Sequence, residues 1–155
     1  MVSPELLRRY PYFGVLADAH LKEIAMIAEE ATIEKGAEIF EECGLADKLY
    51  LLQDGSVDLY FKVVEEYRPD LTKEFMVGEI NPGEVFAISA LIEPYSLNAT
   101  AKVTKTCKVI VIDAVALRDL CEKDPLLGYQ IMQQTAKVLM ERLGYMRLQL
   151  AAATH

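Results

Sequence analysis

The sequence predicts an α+β domain in which helices flank a core of antiparallel strands. Residues 1–31 carry helical patterns, residues 32–113 read as short alternating apolar runs broken by Gly, Asp and Pro, and residues 114–155 turn helical again. About eight short strands between two helical parts favour a closed or sandwich-like sheet over a parallel βαβ array. No linker or repeat divides the chain, so residues 1–155 are expected to form a single domain.

The opening helices are predicted from their start signals. In "SPELLRRY", Ser3 precedes a proline at the first helical position, and Asp18 is a suitable cap for "DAHLKEIAMIAEEA". The apolar residues of this second stretch recur on one helical face: Leu21, Ile24, Ala25 and Ala28.

The middle of the chain is predicted to be β-structure. In "KLYLLQDGSVDLYFKV", Asp54-Gly55 suits a tight two-residue turn, which predicts a hairpin between two apolar strands. The charged stretch "EEYRPDLTKE" indicates a solvated hairpin tip or loop before the strand "EFMVGEI". The β-branched residues of "CKVIVID" predict a buried strand.

The last helix, beginning at Pro125, carries a narrow apolar seam. Its spacing alternates between three and four residues, which is typical either of a coiled-coil homodimer or of a helix packed on its own domain. A second apolar line, through Leu127, Ile131 and Val138, predicts where the helix contacts the β core. The seam consists of Met132, Ala136, Leu139, Leu143 and Met146, and Tyr129 and Leu150 extend it.

Composition excludes several classes of function. With 24 acidic and 16 basic residues in 155, the net charge of −8 would repel a nucleic-acid backbone. No run of 18 apolar residues occurs, and "MVSPELLRRYPYF" lacks the features of a secretory signal, so we expect a cytoplasmic protein that contacts no membrane.

Cysteine and histidine usage argues against catalysis and metal binding. Cys43, Cys107 and Cys121 are widely spaced and form no C-x-x-C pair, which indicates reduced thiols. His20 and His155 are the two histidines, and both are expected at the surface, so no Ser–His or Cys–His arrangement is available. We therefore expect a protein that is not an enzyme and has no cofactor or metal centre.

Four stretches in order resemble the cyclic-nucleotide-binding domain of Crp/Fnr-type regulators. They are "LLRRYPYFGVLADAHLKEIAMIAEEA", "KGAEIFEECGLADKLYLLQDGSVDLY", "PGEVF" and "LCEKDPLLGYQIMQQTAKVLMERL". The resemblance covers nearly the whole chain and implies an eight-stranded antiparallel β-roll, or jelly-roll-like double-stranded β-helix, flanked by N-terminal helices and a long C-terminal helix. Because a short tail follows this helix, we expect no helix-turn-helix of the kind that the family's transcription regulators carry.

The stretch "PGEVFAISALIEPYSLNATA" departs from the phosphate-binding cassette of that family, usually "PGEVFGELALL" followed by "PRSATV". Ala87 stands in place of the glycine, Ile88 of the glutamate, Leu97 of the arginine and Asn98 of the Ser or Thr. By resemblance, the candidate ligand-binding residues are Phe86, Ala87, Ile88, Ser89, Ala90, Leu97, Asn98, Ala99 and Thr100.

The two charge losses weaken the family's ligand chemistry. In the cassette the arginine pairs with the cyclic phosphate and the glutamate accepts a hydrogen bond from the ribose, which neither Leu97 nor Ile88 can do. Losing such a partner costs about 2–5 kcal/mol, or roughly 30- to several-thousand-fold in affinity. A helical turn after Phe86 can still direct N–H groups at an anion, but the β carbon of Ala87 disfavours a positive φ.

The sequence is compatible with three functions. The first is a non-enzymatic regulatory or sensor domain whose pocket is retuned from cAMP or cGMP towards another small-molecule effector. The second is a ligand-free structural or dimerisation module that acts through its C-terminal helix. The third is weak cyclic-nucleotide binding through backbone groups alone.

Overall fold

The computed structural model describes residues 1–154, apart from the side chains at positions 65 and 69. The helices are α1 (Pro4–Arg8), α2 (Pro11–Gly14), α3 (Asp18–Met26), α4 (Ala114–Lys123) and α5 (Pro125–Ala153), with a 3-10 turn at Ile88–Leu91. The strands are β1 (Ala28–Ile33), β2 (Glu38–Phe40), β3 (Lys48–Glu65), β4 (Arg68–Ile80), β5 (Val85–Phe86) and β6 (Thr100–Asp113).

The strands form one antiparallel sheet in the order β1-β6-β3-β4, with β2 paired to β6 and β5 paired to β3. This confirms the predicted α+β architecture with flanking helices. The described residues contain six strands where eight were predicted. The difference arises because β3 and β6 each continue through an irregular segment without ending, so each is as long as two ordinary strands.

The hairpin predicted at Asp54-Gly55 is wrong. The residues before and after Gly55 both pair with β6 instead of with each other, as in Leu51 with Ile110 and Leu59 with Ala101. Gly55 has φ of 100° at a shift in strand register, which is the geometry of a β-bulge. The hairpin of this region is instead formed by β3 and β4.

Strand β1 begins earlier than the helical pattern predicted. Helix α3 ends at Met26, and Ala28, which was placed on its apolar face, pairs with Ile112 of β6. A buried alanine suits either element, so pairing with an available strand edge decides its conformation.

The largest core cluster joins the helices to one end of the sheet. Leu127 and Ile131 of α5 are fully buried in it, and Val138 packs against it, as the second apolar line predicted. Helix α5 therefore uses this line to dock on the sheet and the N-terminal helices. The cluster also includes Leu7, Phe13, Leu21, Ile24, Leu49, Ile110, Ile112 and Leu117.

The prediction that His20 lies at the surface is wrong, and His155 lies outside the described residues. His20 is 8% exposed, and its Nε2 lies 2.6 Å from Asp124 Oδ2. A carboxylate only accepts hydrogen bonds, so His20 donates, and Asp124 Oδ1 meanwhile accepts from the first N–H groups of α5, those of Leu126 and Leu127. This pair connects α3 to the start of α5.

We predict that Gly55→Ala is far more destabilising than Gly36→Ala. Both glycines have a positive φ, 100° and 91°, so both substitutions incur about 1–3 kcal/mol of backbone strain. A β carbon at Gly55 would also lie 2.5 Å from the Thr106 carbonyl oxygen, whereas nothing lies within 4 Å at Gly36. Denaturant unfolding should show an additional loss of about 1–3 kcal/mol for Gly55→Ala. Equal losses would contradict the close approach of β3 and β6.

We predict that the charge of Asp124 stabilises the fold only above acidic pH. The hydrogen bond from His20, assisted by the Leu127 N–H, lowers the pKa of Asp124. A carboxyl group whose pKa is depressed by folding contributes stability above its unfolded pKa, and this contribution is lost as pH falls through the folded value. Asp124→Asn, which keeps a capping oxygen, should therefore be less stable than wild type at pH 7.

The difference in unfolding free energy between wild type and Asp124→Asn should begin to shrink near about pH 4, where the unfolded aspartate protonates, and should vanish only below the lowered pKa of the folded state. Asp119→Asn on α4 is the control, since Asp119 pairs with the exposed side chain of Lys123, four residues later on the same helix. A difference that stays constant with pH would contradict the assignment.

Candidate functional site

The cassette stretch forms the helical turn that the sequence predicted after Phe86. A 3-10 helix, Ile88–Leu91, follows β5, and Ala87 at its start has φ of 63° and ψ of 39°. Ala87 adopts a positive φ although its β carbon disfavours this conformation. The surrounding structure holds Ala87 in the left-handed conformation despite a cost of about 1–2 kcal/mol.

The two positions without charge are filled by buried alkyl groups. Ile88 and Leu97 are each 7% exposed. Ile88 belongs to the main core cluster, while Leu97 packs with small residues such as Ala46 and Ala90. Neither a carboxylate nor a guanidinium is therefore presented at these two positions of the cassette.

Six of the nine candidate ligand-binding residues lie together along a cavity, hereafter the cassette cavity. Phe86 is fully buried and stacks on Tyr50 at 5.2 Å between ring centroids, and Ala90 is also fully buried. The hydroxyl of Thr100 accepts a hydrogen bond from the Glu42 N–H at 2.9 Å. These three are absent from the cavity wall, which includes Ala87, Ile88, Ser89, Leu97, Asn98 and Ala99.

The cassette cavity has a volume of about 590 Å³ and lies between the cassette and α5. A second cavity of about 440 Å³, hereafter the side cavity, adjoins it beneath β4. The two share wall residues, so they form one groove with two lobes. The shared residues are Leu59, Asn98, Ala99, Arg142 and Met146.

Part of the predicted helix seam faces this groove. Leu139, Leu143 and Met146 line the cassette cavity and are about half exposed, at 47%, 51% and 50%. Ala136 and Met132, about one and two turns before Leu139, are exposed and do not line it. The seam is thus divided between a cavity wall and a free surface.

Arg142 is a candidate site residue that the sequence analysis missed. It lines both cavities, and its Nη2 donates to the Val85 carbonyl oxygen at 2.8 Å. Burial lowers the pKa of Arg142, while the nearby carboxylates of Glu84 and Glu141 act in the opposite direction. The available signal was its spacing, since it stands four residues after Val138 of the buried line and three after Leu139 of the seam.

The described part of the chain contains no group of three His, Cys, Asp or Glu side chains placed to hold a metal ion. Within residues 1–154, no helix is both long enough and apolar enough to span a bilayer. The three cysteines are unpaired, and burial raises the pKa of the Cys107 thiol and raises that of Cys121 to about 11. These two thiols therefore stay protonated at neutral pH.

Comparison with known proteins identifies relatives of this fold and site. The family model described as the cyclic nucleotide-binding domain matches residues 30–124, more than half of the chain. A curated relative, described as a candidate potassium channel protein of Rhodopseudomonas palustris, is 23% identical over 133 residues. This match covers 86% of the chain but 30% of the channel protein, so the chain corresponds to less than a third of that relative.

Two solved structures are similar over most of their length. A protein of Geobacter metallireducens described as a candidate cyclic nucleotide-binding protein is 36% identical, with a TM-score of 0.80 and coverage of 92% of this chain and 99% of that one. The N-terminal domain of a Streptomyces coelicolor transcriptional regulator is 25% identical, with a TM-score of 0.67 and coverage of 91% and 94%. The chain therefore belongs to the cyclic nucleotide-binding domain family and has a regulatory fold of the Crp/Fnr type.

Proposed function

We propose that this chain is a non-enzymatic sensor domain whose cavity takes a small ligand other than cAMP or cGMP. The observation that carries this proposal is the burial of Ile88 and Leu97 at the two positions that the family uses for charge recognition. The scaffold of the family is present, but the cassette has alkyl side chains at the positions that would recognise a cyclic phosphate and its ribose.

The chemistry of the groove supports an apolar ligand. Phe40, Leu59, Leu139 and Leu143 supply much of the wall of the cassette cavity. The polar groups are fewer and include Ser89, Asn98 and Arg142, which is the pattern of a small-molecule site that orients an apolar body. A ligand here would contact the cassette and α5 together, so its binding would change how firmly α5 is held against the sheet.

We further propose that the output of the domain is self-association through α5. The seam from Met132 to Met146 spans about four turns of exposed or half-exposed apolar residues, and such an a/d surface is suited to pairing with a second copy. Leu139, Leu143 and Met146 belong both to the seam and to the cavity wall. Ligand binding and dimerisation would thus act on the same side chains.

We predict that Leu97→Arg creates binding of cAMP that the wild type lacks. An arginine at this position supplies the charge-assisted partner of the cyclic phosphate, which is expected to raise affinity by about 30-fold or more. Thermal unfolding with and without cAMP at micromolar concentration is the measurement, since a ligand selective for the native state raises the midpoint. The midpoint should rise for Leu97→Arg and stay unchanged for wild type.

Leu97→Gln is the matched control, because it removes the same alkyl packing without adding charge. Its midpoint should not respond to cAMP, and circular dichroism should show that both variants are folded. A rise for the wild-type protein with micromolar cAMP would contradict the proposal that the pocket has moved away from cyclic nucleotides.

We predict that Met132→Lys with Ala136→Lys converts a dimer into a folded monomer. Lysines at these exposed seam positions place like charges opposite each other in a paired helix, while the cavity wall is left intact. Mass measured by light scattering tests this. Leu148→Lys, at an exposed position of α5 outside the seam, is the control and should remain dimeric. A monomeric wild type, or a double variant with the wild-type dimeric mass, would contradict the interface.

A further inference from the structure

The guanidinium of Arg142 is a cation placed at the junction of the two cavities. It reaches from α5 across the groove, where its Nη2 donates to the Val85 carbonyl oxygen at 2.8 Å. Val85 belongs to β5, directly before the cassette turn. The charge therefore lies beside the cassette, although it comes from a different part of the chain.

Arg142 has carboxylates nearby but forms no direct ion pair with a described side chain. Among the described side chains, no ion pair includes it, and Val85 O is the acceptor for its Nη2. A guanidinium carries several further N–H donors, and Arg142 is half-buried where the two cavities meet, so donors besides the one bound to Val85 are available to a ligand. An anion would form charge-assisted hydrogen bonds with these donors, which are stronger than those between neutral groups.

The surroundings of Arg142 restrict the charge of that anion. Glu84 and Glu141 lie close enough to influence the guanidinium, and Glu79 also lines the side cavity. Together with the net charge of −8, these carboxylates would repel a multiply charged anion. A planar carboxylate bearing one charge suits the fork of N–H groups on a guanidinium.

We propose that Arg142 is the anion-binding residue of the groove and that the ligand is an apolar molecule with one carboxylate. This rests on the proposed sensor function and specifies its ligand class. The apolar body occupies the cassette cavity against Leu59, Leu139 and Leu143, and its carboxylate accepts from the guanidinium of Arg142. Since Arg142 also donates to Val85, the bound acid joins α5 to the strand that leads into the cassette.

The test compares acids with neutral molecules of the same shape. Phenylacetate, naphthaleneacetate and octanoate, each beside its neutral amide, are titrated calorimetrically into the wild-type protein. At least one acid should bind about tenfold or more tightly than its amide, because the amide lacks the charge that makes the hydrogen bonds to the guanidinium strong.

Variants of Arg142 test whether this residue causes the preference for the acid over the amide. Arg142→Gln should remove the preference for the acid over the amide, whereas Arg142→Lys, which keeps the charge without the fork, should retain part of it. Arg147→Gln, an exposed arginine on the same helix outside both cavities, is the matched control and should bind as the wild type does.

The outcomes separate this inference from the proposed function. Amides that bind as tightly as the acids, or an acid preference that persists in Arg142→Gln, would overturn the role of Arg142 and leave an apolar sensor cavity in place. A failure of all three acids and all three amides to bind the wild-type protein would overturn the inference and also remove support for the proposed sensor function.

Discussion

The pairing of β3 with β6 is the constraint on which the rest of the structure depends. These strands pair along most of their length and carry every other strand of the sheet on one of their edges. Both pass through an irregular segment where Gly55 lies against Thr106 and Cys107. Only a residue without a β carbon permits this approach, so one glycine allows both strands to continue past the bulge.

The pairing of β3 with β6 determines where the cassette lies. Strand β5 is held on β3, and the cassette returns to the sheet where β6 begins at Thr100. The turn between them keeps the backbone conformation that glycine usually provides, even though the residue is Ala87. The cassette therefore forms its helical turn with buried alkyl side chains at positions 88 and 97, where the resemblance to the family leads us to expect charged ones, and this difference affects ligand chemistry more than folding.

Helix α5 links the core, the groove and the surface. Its first turns are fixed by the His20–Asp124 hydrogen bond and by the burial of Leu127 and Ile131. Its later turns leave the core and form one wall of the groove, with Arg142 directed at β5. A rigid helix anchored at one end and exposed at the other is well placed to convert occupancy of the groove into a change at its free surface.

The sequence by itself determined the class of fold, the positions of the terminal helices except for the end of α3, the helical turn after Phe86 and the absence of charge at Ile88 and Leu97. These features depend on local periodicity, on helix caps and on the chemistry of single residues. They can therefore be recognised without knowing how the rest of the chain packs. Tertiary structure alone decided that Asp54-Gly55 bends a strand, because the turn signal competes with pairing to the distant β6. It likewise brought His20 to Asp124 and Thr100 to Glu42.

The position of Arg142 in the groove was decided in the same way. Its spacing from Val138 and Leu139 is the one local difference from Arg147, which remains exposed about one and a half turns later, and this spacing does not reveal the contact with Val85. Contacts between residues far apart in sequence depend on how whole elements pack, and packing selects among side chains that local patterns treat alike.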